Sequence, residues 1–226
     1  MAKVAIQECK GGFGMKIKDV FDIIFSMDNL YDAFQDASNG RRYNRDVLRF
    51  AYDAWTNLDE LRGRILRGEY EIDRYYIFFV YEPKKRMIMS IGFEHRVVQW
   101  AIYRVINPIF VKGYIKDSYG CIPGRGALSA MLRLKGWLQY VSRKEGEWYY
   151  LKLDISKYFY RISHRILKKI LRKKIKDERL LSILFGIIDC KHTPFGLPPG
   201  KSKALTTAAY SRTVIWPSGW KQSPTR

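Results

Sequence analysis

An α+β protein is predicted by three properties of the sequence. Helix-period and strand-period segments are mixed along its 226 residues without a regular βαβ alternation, which disfavours a doubly wound sheet. Hydrophobic residues make up 47% and aromatic ones 15%, the composition of a chain with a folded core. Clusters of Gly and Pro at 118–126 and 193–200 separate the patterned segments, and the length suits one large domain or two small ones.

The first strongly patterned segment runs from Asp46 to Leu66, where Leu48, Ala51, Tyr52, Trp55, Leu58, Leu61 and Ile65 recur at three- and four-residue spacing. That spacing predicts one amphipathic helix, ended by Gly68. Tyr75 to Tyr81 and Met87 to Ile91 are rich in aromatic and β-branched residues and predict two strands joined by Glu82-Pro83-Lys84-Lys85, a hairpin with a basic tip. Helical period returns from Glu94 to Phe110 through Val97, Val98, Ala101, Ile102, Val105 and Ile106, with a stop near Pro108. A Gly- and Pro-rich loop, Ser118 to Gly126, precedes a helix from Ala127 to about Arg143.

Between Tyr149 and Ile155, Tyr150, Lys152 and Asp154 alternate with Leu151, Leu153 and Ile155. The period of two predicts a strand with one face in a core and Asp154 on its polar face. Two further helices are predicted at Ser163 to Lys176 and Asp177 to Asp189, followed by Thr193-Pro-Phe-Gly-Leu-Pro-Pro-Gly200. The stretch from Lys201 to Arg226 lacks Asp and Glu, shows little periodicity and reads as poorly structured.

Charge narrows the functional classes. Lys and Arg number 41 against 22 Asp and Glu, a formal net charge of +19, which points to a polyanionic partner. Nucleic acid comes first, because each phosphate contact releases counterions; an anionic membrane surface comes second. No run approaches the ~18 apolar residues of a membrane span, and Met1 to Lys16 has no apolar signal core, so a cytoplasmic protein is expected. Cys9, Cys121 and Cys190, and likewise His95, His164 and His192, are scattered, which suggests neither a disulfide framework nor a zinc site.

Three places carry candidate chemistry. Lys84, Lys85, Arg86 and Arg96 gather cations around the predicted hairpin and the start of the next helix, where they could hold phosphates; charged turns are also common on solvated surfaces. The loop Gly120 to Gly126 offers open backbone amides and Arg125 ahead of a helix N-terminus, a setting that suits an anion, although a tight turn explains the glycines about as well. Asp154 is a candidate ligand for a hard cation such as magnesium, and a lone Asp after a strand more often caps the turn that follows.

Four blocks decide between these readings. They are Lys84-Lys-Arg-Met-Ile-Met-Ser-Ile with Glu94-His-Arg-Val-Val-Gln99, Ser118-Tyr-Gly-Cys-Ile-Pro-Gly-Arg-Gly126, Leu153-Asp-Ile-Ser-Lys-Tyr-Phe159 with Ile162-Ser-His164, and Gly196-Leu-Pro-Pro-Gly200. In this order and at these intervals the chain resembles the reverse transcriptases of the bacterial group II intron, retron and diversity-generating retroelement assemblage, over roughly residues 45 to 200.

The resemblance implies a right-hand polymerase with fingers at 45–146 and a partial palm at 147–200, after an N-terminal extension at 1–44. An atypical, disordered tail would occupy 201–226, with the thumb absent. It implies Asp154 as the first catalytic aspartate, with the carbonyl of Ile155 on the same magnesium ion. Phe159 matches a steric gate against the ribose 2′-hydroxyl, and Lys84 or Lys85 with Arg86 looks like the triphosphate contact. Arg125, Gly124 and Gly126 match the block lining the template and nucleotide pocket. Gly196, Pro198 and Gly200 resemble the start of the block that positions template and primer, and Arg96 is read with the nucleic-acid contacts. The implied partners are an RNA template, a DNA primer, deoxynucleoside triphosphates and a retroelement RNA or accessory protein.

The chain also departs from that pattern. Gly200 is followed by Lys-Ser-Lys-Ala-Leu-Thr-Thr, and no Asp-Asp pair occurs, so the family's Tyr-x-Asp-Asp turn is missing. One carboxylate cannot build a two-metal site, so an incomplete and inactive fragment is expected, from a frameshift in preference to a genuine short product. The alternative is a non-catalytic RNA-binding or maturase-like protein using the basic fingers. An unrelated basic DNA-binding protein ranks below both, because no helix-turn-helix or zinc-finger spacing is present.

Overall fold

A computed structural model of the chain describes residues 17–72, 75–83, 85, 87–155, 158 and 162–190, with the backbone alone at 86 and 214–217. The fold is α+β. Its elements in chain order are α1 (Phe21–Ile24), α2 (Met27–Ser38), α3 (Arg45–Tyr52), α4 (Ala54–Leu66), β1 (Tyr75–Val80), β2 (Arg86–Ile91), α5 (Phe93–Lys112), α6 (Ala127–Ser142), β3 (Trp148–Leu151), α7 (His164–Lys174), α8 (Glu178–Ile188) and β4 (Val214–Pro217).

The core is helical, and residues 17–44 supply much of it. Phe21, Ile24 and Phe25, then Leu30, Ala33, Phe34 and Ala37 of α2, pack with Leu58, Leu61 and Ile65 of α4 and with Phe93, Val97, Val98, Ala101 and Ile102 of α5. Ser26 caps α2 by accepting the amide of Asn29 at 3.3 Å, the role expected of a serine at that position. Asn29 Nδ2 in turn donates to the carbonyls of Ile24 at 2.7 Å and Ala101 at 3.1 Å, which ties α1 and α2 to α5. Arg104 closes the same seam, donating to Asn29 at 3.2 Å, Asp32 at 2.7 Å and Asp36. Ile17 bridges Ile175 in parallel, so the segment before α1 runs beside the exit of α7.

Several predicted boundaries move. The single helix over 46–66 is two, because Asp53 leaves helical geometry at φ −136° and ψ 67° and caps α4 by accepting the amide of Thr56 at 3.4 Å. A short carboxylate that satisfies a backbone amide competes with helix continuation. Asn57 Nδ2 meets the carbonyl of Phe50 at 3.0 Å, so the end of α3 is satisfied too. Burial follows the break: Leu58, Leu61 and Ile65 are buried, whereas Leu48, Ala51, Tyr52 and Trp55 are exposed.

Pro108 lies inside α5 and does not end it. An interior proline costs about 3 kcal/mol through one lost amide bond and a ring clash. Here it falls near the C-terminal end, and Ile109 and Phe110 beyond it pack against the core, which offsets that cost.

The hairpin agrees with its prediction. β1 and β2 pair antiparallel from Tyr75↔Ile91 to Val80↔Arg86, joined across 81–85. The strand predicted to carry Asp154 is shorter than its alternation implied. β3 ends at Leu151, three residues before Asp154, and Leu151 and Leu153 are 51% and 44% exposed, so no strand face enters the core. Its antiparallel partner is β4, with Trp148 opposite Pro217 and Leu151 opposite Val214. A four-residue strand was not visible in the sequence beyond Gly200, where the apolar run is too short to display a period.

Candidate nucleic-acid and metal site

At the hairpin tip, Lys85 is exposed and its Nζ sits 5.1 Å from the Phe79 ring centroid and 5.7 Å from that of Tyr81. The rings hold the ammonium by cation–π attraction and leave its outer side open to an anion. Arg86 pairs through its backbone with Val80. Lys84, Phe159, Gly196, Pro198 and Gly200, and the Arg86 side chain, lie outside the described residues.

On the first turn of α5, Arg96 is half-buried and its side chain has no hydrogen bond or ion pair among the described residues. Burial pushes its guanidinium below the usual arginine range, and the positive charge of Arg41 pushes the same way. A partly desolvated cation facing another cation favours an incoming anion.

The loop ahead of α6 is built by a tight turn. Arg125 donates its amide to the carbonyl of Ile122 at 3.0 Å across Pro123 and Gly124, and Gly124 sits at φ +75°. Proline followed by a residue of positive φ is the signature of a type II turn. Ile122 is buried and anchors the loop, while the Arg125 Nη1 donates to the carbonyl of Lys116 at 3.4 Å. Gly126 is the N-cap of α6 with no side-chain cap bond, and no acidic residue occupies the first turn of that helix. Its leading amides therefore lack a capping side chain, although only Gly124 needs glycine for its backbone: a Cβ at Gly120 or Gly126 would meet nothing within 4 Å.

Asp154 is exposed and makes no side-chain hydrogen bond or ion pair among the described residues. No group of three or more His, Cys, Asp and Glu side chains comes together among the described residues. Magnesium is commonly held by one or two carboxylates, with substrate phosphates completing its shell. Asp154 and the Ile155 carbonyl fit the protein's share of one such ion and do not fit two. Among the described residues Asp154 shares no hydrogen bond or ion pair with Lys85, Arg96 or Arg125.

Two buried histidines have structural settings instead. His95 is 2% exposed with Nδ1 at 3.1 Å from the Tyr70 hydroxyl, beside a Glu94 that Arg64 engages at 2.6 Å. His164 is 8% exposed with Nδ1 at 3.1 Å from Asp189. Tyr70 and Asp189 each lie 25 residues from the histidine they meet, so no local pattern could have revealed these contacts.

A family model described as reverse transcriptase (RNA-dependent DNA polymerase) matches residues 82–226. Protein YkfC of Escherichia coli (strain K12) is 31% identical over 147 residues, covering 62% of this chain and 37% of that protein. A putative COX1/OXI3 intron 2 protein of Saccharomyces cerevisiae is 25% identical over 116 residues, covering 47% of this chain and 13% of that protein. The chain thus matches well under half the length of these curated relatives. Asp154, Phe159, Arg96, Arg125, the hairpin tip and the segment around Gly196 all fall inside the matched residues. The match begins later than residue 45 and runs on through 201–226.

Proposed function

Because the chain belongs to the reverse transcriptase (RNA-dependent DNA polymerase) family, we propose that it carries the fingers and the first half of the palm of an enzyme that extends a DNA primer on an RNA template. Asp154 carries this reading: an exposed carboxylate with no side-chain hydrogen bond or ion pair among the described residues, just past the end of a strand and inside the matched residues. An exposed Asp that the described residues do not engage is open to a cation. With the Ile155 carbonyl it would hold one magnesium ion, which polarises phosphate oxygens and lowers the pKa of the attacking 3′-hydroxyl when bound.

The other residues orient substrate. Lys85, fixed on its aromatic rings, is proposed to contact the triphosphate together with Lys84 and Arg86. Arg125 and the amides leading into α6 are proposed to take a phosphate of template or nucleotide. Phe159, five residues after Asp154, is proposed as the gate that excludes the ribose 2′-hydroxyl. The 226 residues contain no Asp-Asp pair, so a second carboxylate set must come from outside them. On this reading the chain alone binds nucleic acid without extending a primer.

The test is magnesium-dependent extension of a labelled DNA primer on an RNA template. No extension is expected from these residues alone, and extension is expected once a segment carrying the Asp-Asp turn is joined to them. Asp154→Asn in the joined enzyme is expected to abolish it; full activity in that variant would sink the palm assignment.

A second reading, a non-catalytic RNA-binding or maturase-like protein, is favoured by Arg96 and Arg41, two neighbouring cations for which the described residues offer no carboxylate. It is also in keeping with a relative named as an intron protein. Joined enzyme that binds RNA tightly yet never extends a primer would select it.

A further inference from the structure

Helix α7 breaks a rule of helix electrostatics. Its 11 residues, His164–Lys174, contain Arg165, Lys168, Lys169, Arg172, Lys173 and Lys174 and no acidic residue. Cations in the last turn interact favourably with the negative end of the helix dipole, which accounts for Arg172, Lys173 and Lys174. Arg165 and Lys169 have no such account. Arg165 stands in the first turn, where the positive end of the dipole opposes it, and no Asp or Glu on α7 supplies an i to i+4 partner.

Among the described residues, tertiary contacts do not neutralise that face. Lys168 pairs with Asp189 and lies over the Phe185 ring, 5.2 Å from its centroid, so it serves the contact with α8. Arg172 stacks on the same ring at 5.1 Å and stays exposed, which fixes its guanidinium at the surface. Arg165, Lys169 and Lys173 are exposed and make no side-chain hydrogen bond or ion pair among the described residues. Spaced four apart, they run along one side of the helix beside Arg172, a ridge about 12 Å long at ~1.5 Å per residue. A ridge of that length can meet several successive phosphates of one nucleic-acid strand.

We propose that this ridge of α7 is a nucleic-acid contact surface in its own right, separate from Asp154, which grips the phosphate backbone of RNA without reading its sequence. The proposal rests on the nucleic-acid reading given above. A local electrostatic cost that the described residues do not return is expected where a partner supplies the return. The alternative polyanion, a membrane surface, fits less well. A helix that lies on a bilayer must insert an apolar face, and that of α7 is engaged: Leu171 packs against the core, Ile166 and Leu167 are half-buried, and only Ile170 is substantially exposed, at 50%.

The experiment uses the full chain and a fluorescently labelled RNA hairpin, with affinity measured over a series of salt concentrations. Each lost phosphate contact flattens the plot of log affinity against log salt by about 0.7 to 0.9. The triple variant Arg165→Gln, Lys169→Gln, Lys173→Gln is therefore expected to bind more weakly with a slope shallower by about two, and to melt no lower than the parent. A matched triple, Arg42→Gln, Arg45→Gln, Arg49→Gln, removes the same charge elsewhere and is expected to change the slope less. Equal effects of the two triples, or an unchanged slope in the first, would overturn the α7 surface while leaving the family's RNA binding intact. No salt-sensitive binding by the parent chain would overturn both readings. Binding to anionic phosphatidylserine vesicles that disappears in the first triple, with RNA binding unaffected, would transfer the ridge to a membrane.

Discussion

Asp177 holds the amide of Phe21 at 3.0 Å, across 156 residues of sequence. The same carboxylate accepts the amide of Val20 at 3.1 Å and caps α8 through the amide of Leu180 at 3.2 Å. One side chain therefore starts two helices, α1 and α8, and clamps the segment before α1 to the exit of α7. Hydrogen bonds to a charged acceptor contribute more than neutral ones, and the cap adds its own share.

Asp177→Ala is expected to destabilise the fold by about 2 kcal/mol or more, since it leaves part-buried amides without an acceptor. Urea denaturation would measure it. An unchanged midpoint would mean that solvent replaces the carboxylate at no cost.

Asp154→Asn is the counterpart. With an exposed side chain and no partner among the described residues, it is expected to change stability by no more than about 0.5 kcal/mol while abolishing extension in the joined enzyme. A large drop in stability would assign Asp154 a structural role instead.

The break at Asp53 separates two leucines that share one stripe in the sequence. Leu61 is 0% exposed, so Leu61→Ala is expected to cost about 2 to 5 kcal/mol, whereas Leu48, 53% exposed, is expected to cost less than about 1 kcal/mol as alanine. Equal losses would restore the single helix.

Gly124→Ala forces an L residue into the left-handed region at φ +75° and is expected to cost about 1 to 2 kcal/mol. Gly120→Ala, with open space around its Cβ, is expected to be neutral or slightly stabilising. Thermal melts of both variants check the turn.

Arg96 titrates below the usual arginine range because burial, and then Arg41, disfavour its charged form. The folded state is therefore penalised at every pH where the guanidinium is charged, and the penalty lifts only as pH rises through the lowered value. Arg96→Gln removes the charge at neutral pH, so an unchanged or higher melting temperature is expected, together with weaker RNA binding. A clear loss of stability would mean that Arg96 serves the fold.

The elements that the sequence located well are those whose signals are local. The hairpin was legible from its aromatic runs around a proline turn, α6 from the glycines before it, and α7 and α8 from their period, with Asp177 at the junction. Asp154, Lys85 and Arg125 could be named as candidates from motif and spacing alone, because these survive without coordinates. Periodicity, however, states only that a face is apolar; it does not say what covers it. Leu58 and Leu48 have the same local credentials, and only tertiary packing, which places the first in the helical core, leaves the second in water. The same holds for α6, whose predicted length was right and whose residues include none that is buried. Pro108 and Asp53 exchanged their expected roles for the same reason: local propensity, even the roughly 3 kcal/mol of an interior proline, is outweighed where long-range burial and capping favour the other outcome. What the sequence determined alone was the chemistry available at each position; which of those groups are committed to the fold, as Asp177 is, and which have no partner among the described residues, as Asp154 has none, was decided by contacts between residues far apart in the chain.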